Sequence, residues 1–352
     1  MRTINTFDIL ENIQPFNSVF YRSCFYNSFF PVVNHFNRSI IPFLINDIFY
    51  FKENSKNSDI GLDTGYASIQ KISKIAEANG IFAEVKEKSD DVEADIVAAV
   101  SSNRPVIIWV DPFYESIRTD AYYKKHLAHT LLIHGYSRDR EEFNIIEHRN
   151  YENLSYENRI VGYRDIIESY DGFIEHFLMD KEFKTNLNFY EDKISGASNK
   201  SPTYLEFYHK DIELEQSDLK NKYIEEFHKN IILKMELIAQ GMKCLEKFTS
   251  TYKEIIIDEC ATKEKAEELL DIFNKIVNAK KIESYKISLI MGQERAHIEI
   301  LEKIEKHWTD VRSVIAKYIF SQNYRRKAFY KTIDLLESVC QLEKEMFSIL
   351  KN

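Results

Sequence analysis

The sequence predicts an α+β domain followed by an all-α helical bundle, and three observations carry that reading. Proline stands at 15, 31, 42, 105, 112 and 202 and nowhere later in the 352 residues. Beyond Pro202 only Gly241 and Gly292 interrupt long stretches rich in Glu, Lys, Leu and Ile, whose apolar residues recur at helical spacing. Before residue 195, short runs alternate between helical and strand character and end in a series of strands, the pattern of segregated α and β elements. The chain is therefore expected to divide into domains 1–195 and 196–352.

In the first domain, Ser23–His35 is almost wholly apolar and reads as a buried helix. Ser68–Asn79 reads as a helix closed by Gly80, a residue suited to the left-handed turn after a helix. Ile81–Val85 is a short strand, and Asp91–Ser101 a helix with Asp91 as its N-terminal cap. Pro105–Asp111 (PVIIWVD), Thr130–Tyr136 and Phe143–His148 read as strands, the last two joined by a polar turn. In the second domain, from about Glu213 to Leu350, three sets of residues each fall on one helical face. They are Ile231, Ile232, Met235, Leu237, Ile238 and Met242; then Leu269, Leu270, Ile272, Phe273, Ile276 and Val277; then Leu335, Leu336, Val339, Leu342 and Met346. Four or so long antiparallel helices are expected, one of them starting at Thr262 with Glu264 and Glu267 in its first turns.

Composition narrows the function. A formal net charge of −9 argues against nucleic-acid binding, which needs a basic surface. The N-terminal segment lacks a basic stretch followed by an apolar core, and no apolar run approaches the roughly 18–20 residues that span a bilayer. The four cysteines, 24, 244, 260 and 340, show neither paired metal-ligand spacing nor a disulfide framework, so a reducing cytoplasm is the expected compartment.

Cys24 opens the first apolar helix, where the helix dipole favours a thiolate; Ser23 is the expected cap and Arg22 adds positive field. His129 immediately precedes the first strand of the hairpin and Glu147 stands near the end of the returning strand. Both should lie at one end of the hairpin, with the carboxylate in reach of the imidazole. A nucleophile, a base and a group that orients the base form the set that covalent catalysis needs. His126, His134 and His148 are expected to pack or to lie on the surface, with His148 directed away from Glu147. Glu225–His228 and Glu294–His297 repeat a Glu-x-x-H spacing on the later helices, but helices this rich in Glu carry it by chance, and no metal site is expected.

The order of helix-borne cysteine, helix, strand, helix, PVIIWVD strand, His129-x5-Gly135-Tyr136 and an acidic residue on the next strand resembles papain-like bacterial cysteine domains. It is most similar to the N-terminal domain family of butirosin biosynthesis protein H, over roughly residues 14–190. The resemblance implies an acyltransferase of natural-product biosynthesis. It would take an acyl group from an acyl carrier protein, hold it on Cys24 and pass it to an amine on a small molecule or peptide. It implies Cys24 as nucleophile, His129 as base and acid, and Glu147 where the family usually has Asp, with Asp139 as a fallback. It also implies an oxyanion-binding side chain ahead of the cysteine, Asn17 first and Gln14 second. Arg22, Tyr123 and Tyr136 are the expected contacts to carrier or acceptor. No cofactor is expected beyond the phosphopantetheine carried on the partner, and the tail helices could line the cleft or form a homodimer seam. A cysteine peptidase or amidase with the same triad, and a non-catalytic binding module of the same fold, remain open. Phe25, which follows the cysteine where such peptidases often have Gly, crowds the thiol and favours a small thioester over a peptide; with the Glu at 147 it keeps the binding module open.

Overall fold

Val106–Val110 is apolar at every residue, and the chain buries every one of them in the middle of an antiparallel sheet. The structure, a computed structural model, describes residues 6–54, 60–148, 155–178, 202–212, 219–292 and 295–351. In chain order the described strands are β1 (Phe7–Ile9), β2 (Asp47–Glu53), β3 (Leu62–Ser68), β4 (Ile81–Lys86), β5 (Val106–Val110), β6 (His129–Ser137), β7 (Glu142–His148), β8 (Tyr156–Gly162) and β9 (Tyr204–His209). The helices are α1 (Cys24–His35), α2 (Ile41–Ile45), α3 (Ile72–Ala78), α4 (Val92–Ser101), α5 (Tyr163–His176), α6 (Leu219–Leu233), α7 (Met235–Ile257), α8 (Glu259–Met291), α9 (Arg295–Ser321) and α10 (Arg326–Lys351).

Two units result, Met1–Ile40 with Gln70–Glu215, and Ile41–Ile69 with Gln216–Asn352. This corrects the expected division. Residues 195 and 196 lie outside the described residues, but β9 follows them and pairs antiparallel with both β4 and β5, so the sheet domain extends past that point. The residues around 41–69, for which no element was expected, form a hairpin that belongs with the later helices.

The first unit is α+β. Its sheet runs β4-β9-β5-β6-β7-β8, with β1 added to the far end of β6. Asp91 caps α4 as expected, accepting a hydrogen bond from the Ala94 N–H at 3.1 Å. Helix α3 is shorter than expected because Ser68 is taken into β3; Gly80 follows it at φ +76°. A side chain at Gly80 would meet the Lys210 carbonyl oxygen at 2.6 Å, so both the turn and the neighbouring chain require glycine.

The second unit packs α6 to α10 with the β2–β3 hairpin around Trp308, Phe273, Tyr252, Leu245 and Leu336, all fully buried. Most of the three expected apolar faces are in this core. The first is interrupted at Lys234, which separates α6 from α7 and leaves Ile232 exposed. Helix α8 starts before Thr262, because Asp258 accepts from the amides of Cys260 (2.8 Å) and Ala261 (3.3 Å) and caps it earlier. Two buried lysines tie the hairpin in. Lys280 lies 2.7 Å from Glu343 and 4.1 Å from the Phe49 ring, and Lys286 donates to the Asp47 carbonyl at 2.9 Å. Gly241 lets α7 approach the hairpin, since a Cβ there would lie 2.5 Å from the Phe51 carbonyl oxygen. Gly241→Ala is expected to destabilise this unit by about 1–3 kcal/mol, the usual cost of overpacking a core; a thermal melt that does not move would contradict the close approach.

Candidate active site

Helix α1 starts at Cys24 because the chain before it is set in extended and left-handed backbone that cannot continue a helix. Ser23 sits at φ −159°, ψ 167° and Arg22 at φ 58°. Asn27, one turn into the helix and fully buried, holds this loop. Its Oδ1 accepts from the Tyr21 N–H, and its Nδ2 donates to the carbonyls of Phe16 and Val19, each at 3.1 Å. The Ser23 hydroxyl does not cap the helix; its carbonyl instead accepts from the Tyr26 N–H at 3.2 Å, closing the first turn. Phe25 turns aside from the thiol and stacks on Phe29 and Trp109.

Cys24, His129 and Glu147 meet. The thiol of Cys24 is half-buried and hydrogen-bonded to His129. Strand pairing of Leu132 with Ile146 puts Glu147 diagonal to His129 on one face of the hairpin. There Glu147 Oε2 lies 2.7 Å from His129 Nε2, which leaves Nδ1 for the sulfur. Glu147 is fully buried and His129 nearly so. Burial alone would raise the thiol's pKa, but the charge of His129 and the hydrogen bonds to His129 and Thr130 together outweigh it, so Cys24 lies below the ordinary value of 9.0. Burial likewise works against a charged His129, but the negative charges of Glu147 and Cys24 outweigh it and push its pKa up to about 10. Glu147 is held below the usual carboxylate value against its own burial, chiefly by His129. The arrangement is a thiolate–imidazolium pair backed by a carboxylate.

Several residues at this site have no signal in the sequence. Arg118, 1% exposed, donates from Nη1 to Glu147 Oε1 at 3.3 Å and grips Asp120 with Nε and Nη2 at 3.0 and 3.1 Å. Glu115 is fully buried, and neither of its oxygens has a hydrogen-bond partner among the described residues. Burial, with the nearby charge of Glu147, pushes its pKa up to about 8, so it is protonated at neutral pH. His148 corrects an expectation: its Nε2 comes within 3.3 Å of Glu147 Oε1 instead of pointing away, and its backbone N–H donates to the same oxygen at 2.7 Å.

The remaining expected residues divide. Asn17 does not offer its amide to an acyl oxygen. Its side chain pairs with the backbone of one residue of β8, donating to the Tyr156 carbonyl and accepting from the Tyr156 N–H, both at 2.7 Å, as a neighbouring strand would. Gln14 is exposed on the loop before α1, and Asp139 is exposed in the β6–β7 turn. Tyr136 is fully buried with its hydroxyl 2.9 Å from Ser101, in a strand buried at every position, so it is a core residue and no acceptor contact. Tyr123 is 60% exposed at φ 49°, beside Phe113 and Tyr122. Arg22 lies over the Tyr26 ring and donates to its hydroxyl at 3.3 Å. His134 is buried, which pushes its pKa down to about 4. On the second unit, Glu225 is exposed beside Lys229, and Glu294 lies outside the described residues.

The geometry has a consequence that can be measured. Iodoacetamide at pH 7 is expected to label Cys24 ahead of the exposed Cys260, with a half-maximal pH below the ordinary 9.0. Turnover that depends on the imidazolium should decline only as pH rises through about 10, because a raised pKa keeps His129 protonated up to that value. Peptide mapping at a series of pH values reads the first; a Cys24 that titrates like a free thiol would contradict the ion pair.

No protein-family profile matches the chain, and no curated protein is significantly similar to it.

Proposed function

We propose that the first unit is a papain-like cysteine acyltransferase. It moves an acyl group from an acyl carrier protein thioester, through an acyl-enzyme on Cys24, to an amine of a small molecule or peptide. The observation that carries this reading is the continuous line Cys24–His129–Glu147, with the sulfur at a helix N-terminus and the His129 Nε2 to Glu147 distance at 2.7 Å. The thiolate attacks the thioester carbonyl, a bond forms between Sγ and the acyl carbon, and the carrier's thiolate leaves with the proton of the His129 imidazolium. Neutral His129 then accepts a proton from the attacking amine. The carbon–nitrogen bond forms, Sγ departs as thiolate, and the starting ion pair is restored. The developing oxyanion is met by the backbone N–H of Cys24 at the start of α1.

Arg22 and Tyr123 are the contacts we assign to the carrier or the acceptor. Incubation with a panel of acyl carrier thioesters, followed by intact-mass measurement, is the test. A mass increase equal to the acyl group, absent in Cys24→Ala and discharged by an added amine, is the expected result. Cleavage of a peptide or simple amide with no carrier present would instead assign the same triad to a peptidase or amidase. A Cys24 inert to both thioester and alkylating agent would make the unit a binding module.

A further inference from the structure

Away from Cys24, three metal-ligating side chains converge in the first unit: Asp111 at the end of β5, His126 on the segment before β6, and His176 in the last turn of α5. One ligand atom from each lies within 4.8 Å of the other two. Asp111 is fully buried, and its carboxylate is fixed from one side: Oδ1 accepts from the amides of Phe113 and Leu127, each at 3.1 Å. Its Oδ2 is turned to His126 Nδ1 at 2.6 Å. The His126 ring is clamped by stacking on Phe113, with centroids 4.1 Å apart and planes at 16°. The His176 ring stands 4.0 Å from it, and among the described residues neither nitrogen of His176 has a hydrogen-bond partner. A single Asp–His hydrogen bond accounts for two of these residues and leaves the third unexplained.

We infer that Asp111, His126 and His176 form a site for a divalent transition ion of the zinc class. One carboxylate oxygen and two imidazole nitrogens suit such an ion, and they leave one position of a tetrahedron for water. Zinc–nitrogen and zinc–oxygen bonds of about 2.0–2.2 Å put tetrahedral ligands about 3.4 Å apart. His176 therefore has to close by on the order of 1 Å and the 2.6 Å Asp111–His126 pair has to open by a similar amount, and the exposed His176 and His126 can supply both by side-chain movement. The ion takes the place of the hydrogen between Asp111 Oδ2 and His126 Nδ1, and the neutral ring carries its N–H on Nε2 instead. The buried contacts of Asp111 Oδ1 persist as its outer support. Glu168 and Glu175 of α5 add negative charge on this side, near Tyr114. The cluster His129, Glu147 and His148 has similar ligand types, but Arg118 donates to Glu147 there and opposes a cation. The bound ion would pin the end of α5 to the strand end beside β6 and to the segment that leads into His129.

The test is titration of the EDTA-treated full-length chain with zinc chloride by calorimetry, carried out in the Cys24→Ala background so that the thiolate–imidazole pair cannot compete. One zinc per chain is expected. His176→Ala and His126→Ala, both at exposed positions, should each weaken binding about 100-fold or more, beyond what loss of an outer-sphere partner costs. Cobalt in place of zinc should give a visible d–d absorption that the same variants lose. Far-UV circular dichroism checks that the variants fold. Absence of stoichiometric zinc binding, or binding that survives His176→Ala unchanged, would overturn the site. Since the background lacks Cys24, neither result depends on the proposed acyl transfer.

Discussion

Glu147→Gln is expected to lower turnover by about 10³–10⁴-fold with the fold intact, the scale found when the carboxylate of a catalytic triad becomes an amide. The size follows from the donors around this side chain. Oε1 faces two fixed donors, the His148 N–H at 2.7 Å and Arg118 Nη1 at 3.3 Å, with His148 Nε2 also 3.3 Å away, whereas Oε2 faces His129 Nε2 at 2.7 Å. Glutamine has one acceptor oxygen, and the two fixed donors claim it. Its NH2 then points at Nε2, which must become an acceptor, so the His129 proton moves to Nδ1, the nitrogen facing Cys24. In that tautomer the ring donates to sulfur and cannot take its proton. The thiol should drift back toward its ordinary pKa of 9.0, and iodoacetamide labelling of Cys24 at pH 7 should slow in parallel. A variant that turns over normally and labels at the wild-type rate would remove Glu147 from the mechanism.

Arg118→Met carries the largest expected loss of stability, about 3–5 kcal/mol, the range for breaking a buried charge network from one side. The guanidinium is 1% exposed and stands among Glu147, Asp120 and Glu115. Removing it leaves Glu147 buried with less compensation. The sign of the pH dependence follows from the direction of the shifts. The pKa of Glu147 is depressed in the folded protein, so its contribution is present above the unfolded carboxylate value of about 4.5 and is lost as pH falls through the lower folded value. Part of that depression comes from Arg118 and is absent in the variant. Glu115 has the opposite sign. Its pKa is raised to about 8, so ionisation already opposes folding as pH rises toward that value, and it does so more strongly without Arg118. The deficit of Arg118→Met relative to wild type should therefore be larger at pH 8 than at pH 5. Urea melts at the two values measure it, and a deficit independent of pH would mean that the arginine acts by packing alone.

The hydrophobic pattern was enough to find most of the helices and strands. Apolar residues at period 3.6 or 2 must face a core wherever that core is, and so α1, α4, β5, β6 and β7 were legible from composition alone. The β2–β3 hairpin was not. Its inner face is filled by residues from helices that begin more than 150 positions later, such as Lys280, Lys286 and the glycine at 241. The end of the first unit was missed for the same reason, since β9 is added to the sheet from beyond residue 200.

At the candidate site, residue type and place in an element pointed to Cys24, His129 and Glu147, because a helix start and the ends of a hairpin have defined geometry before any tertiary contact forms. Which side chain surrounds them was decided only in three dimensions. An asparagine ahead of the cysteine has the same chemistry whether it meets an acyl oxygen or a strand backbone, and the fold gave Asn17 to Tyr156. Arg118 and Glu115 act on the Glu147 carboxylate from the loop between β5 and β6, and Asp111, His126 and His176 converge from three separate elements. Periodicity records only which face of an element is buried. Long-range electrostatic and ligand partners are set by how those faces are brought together.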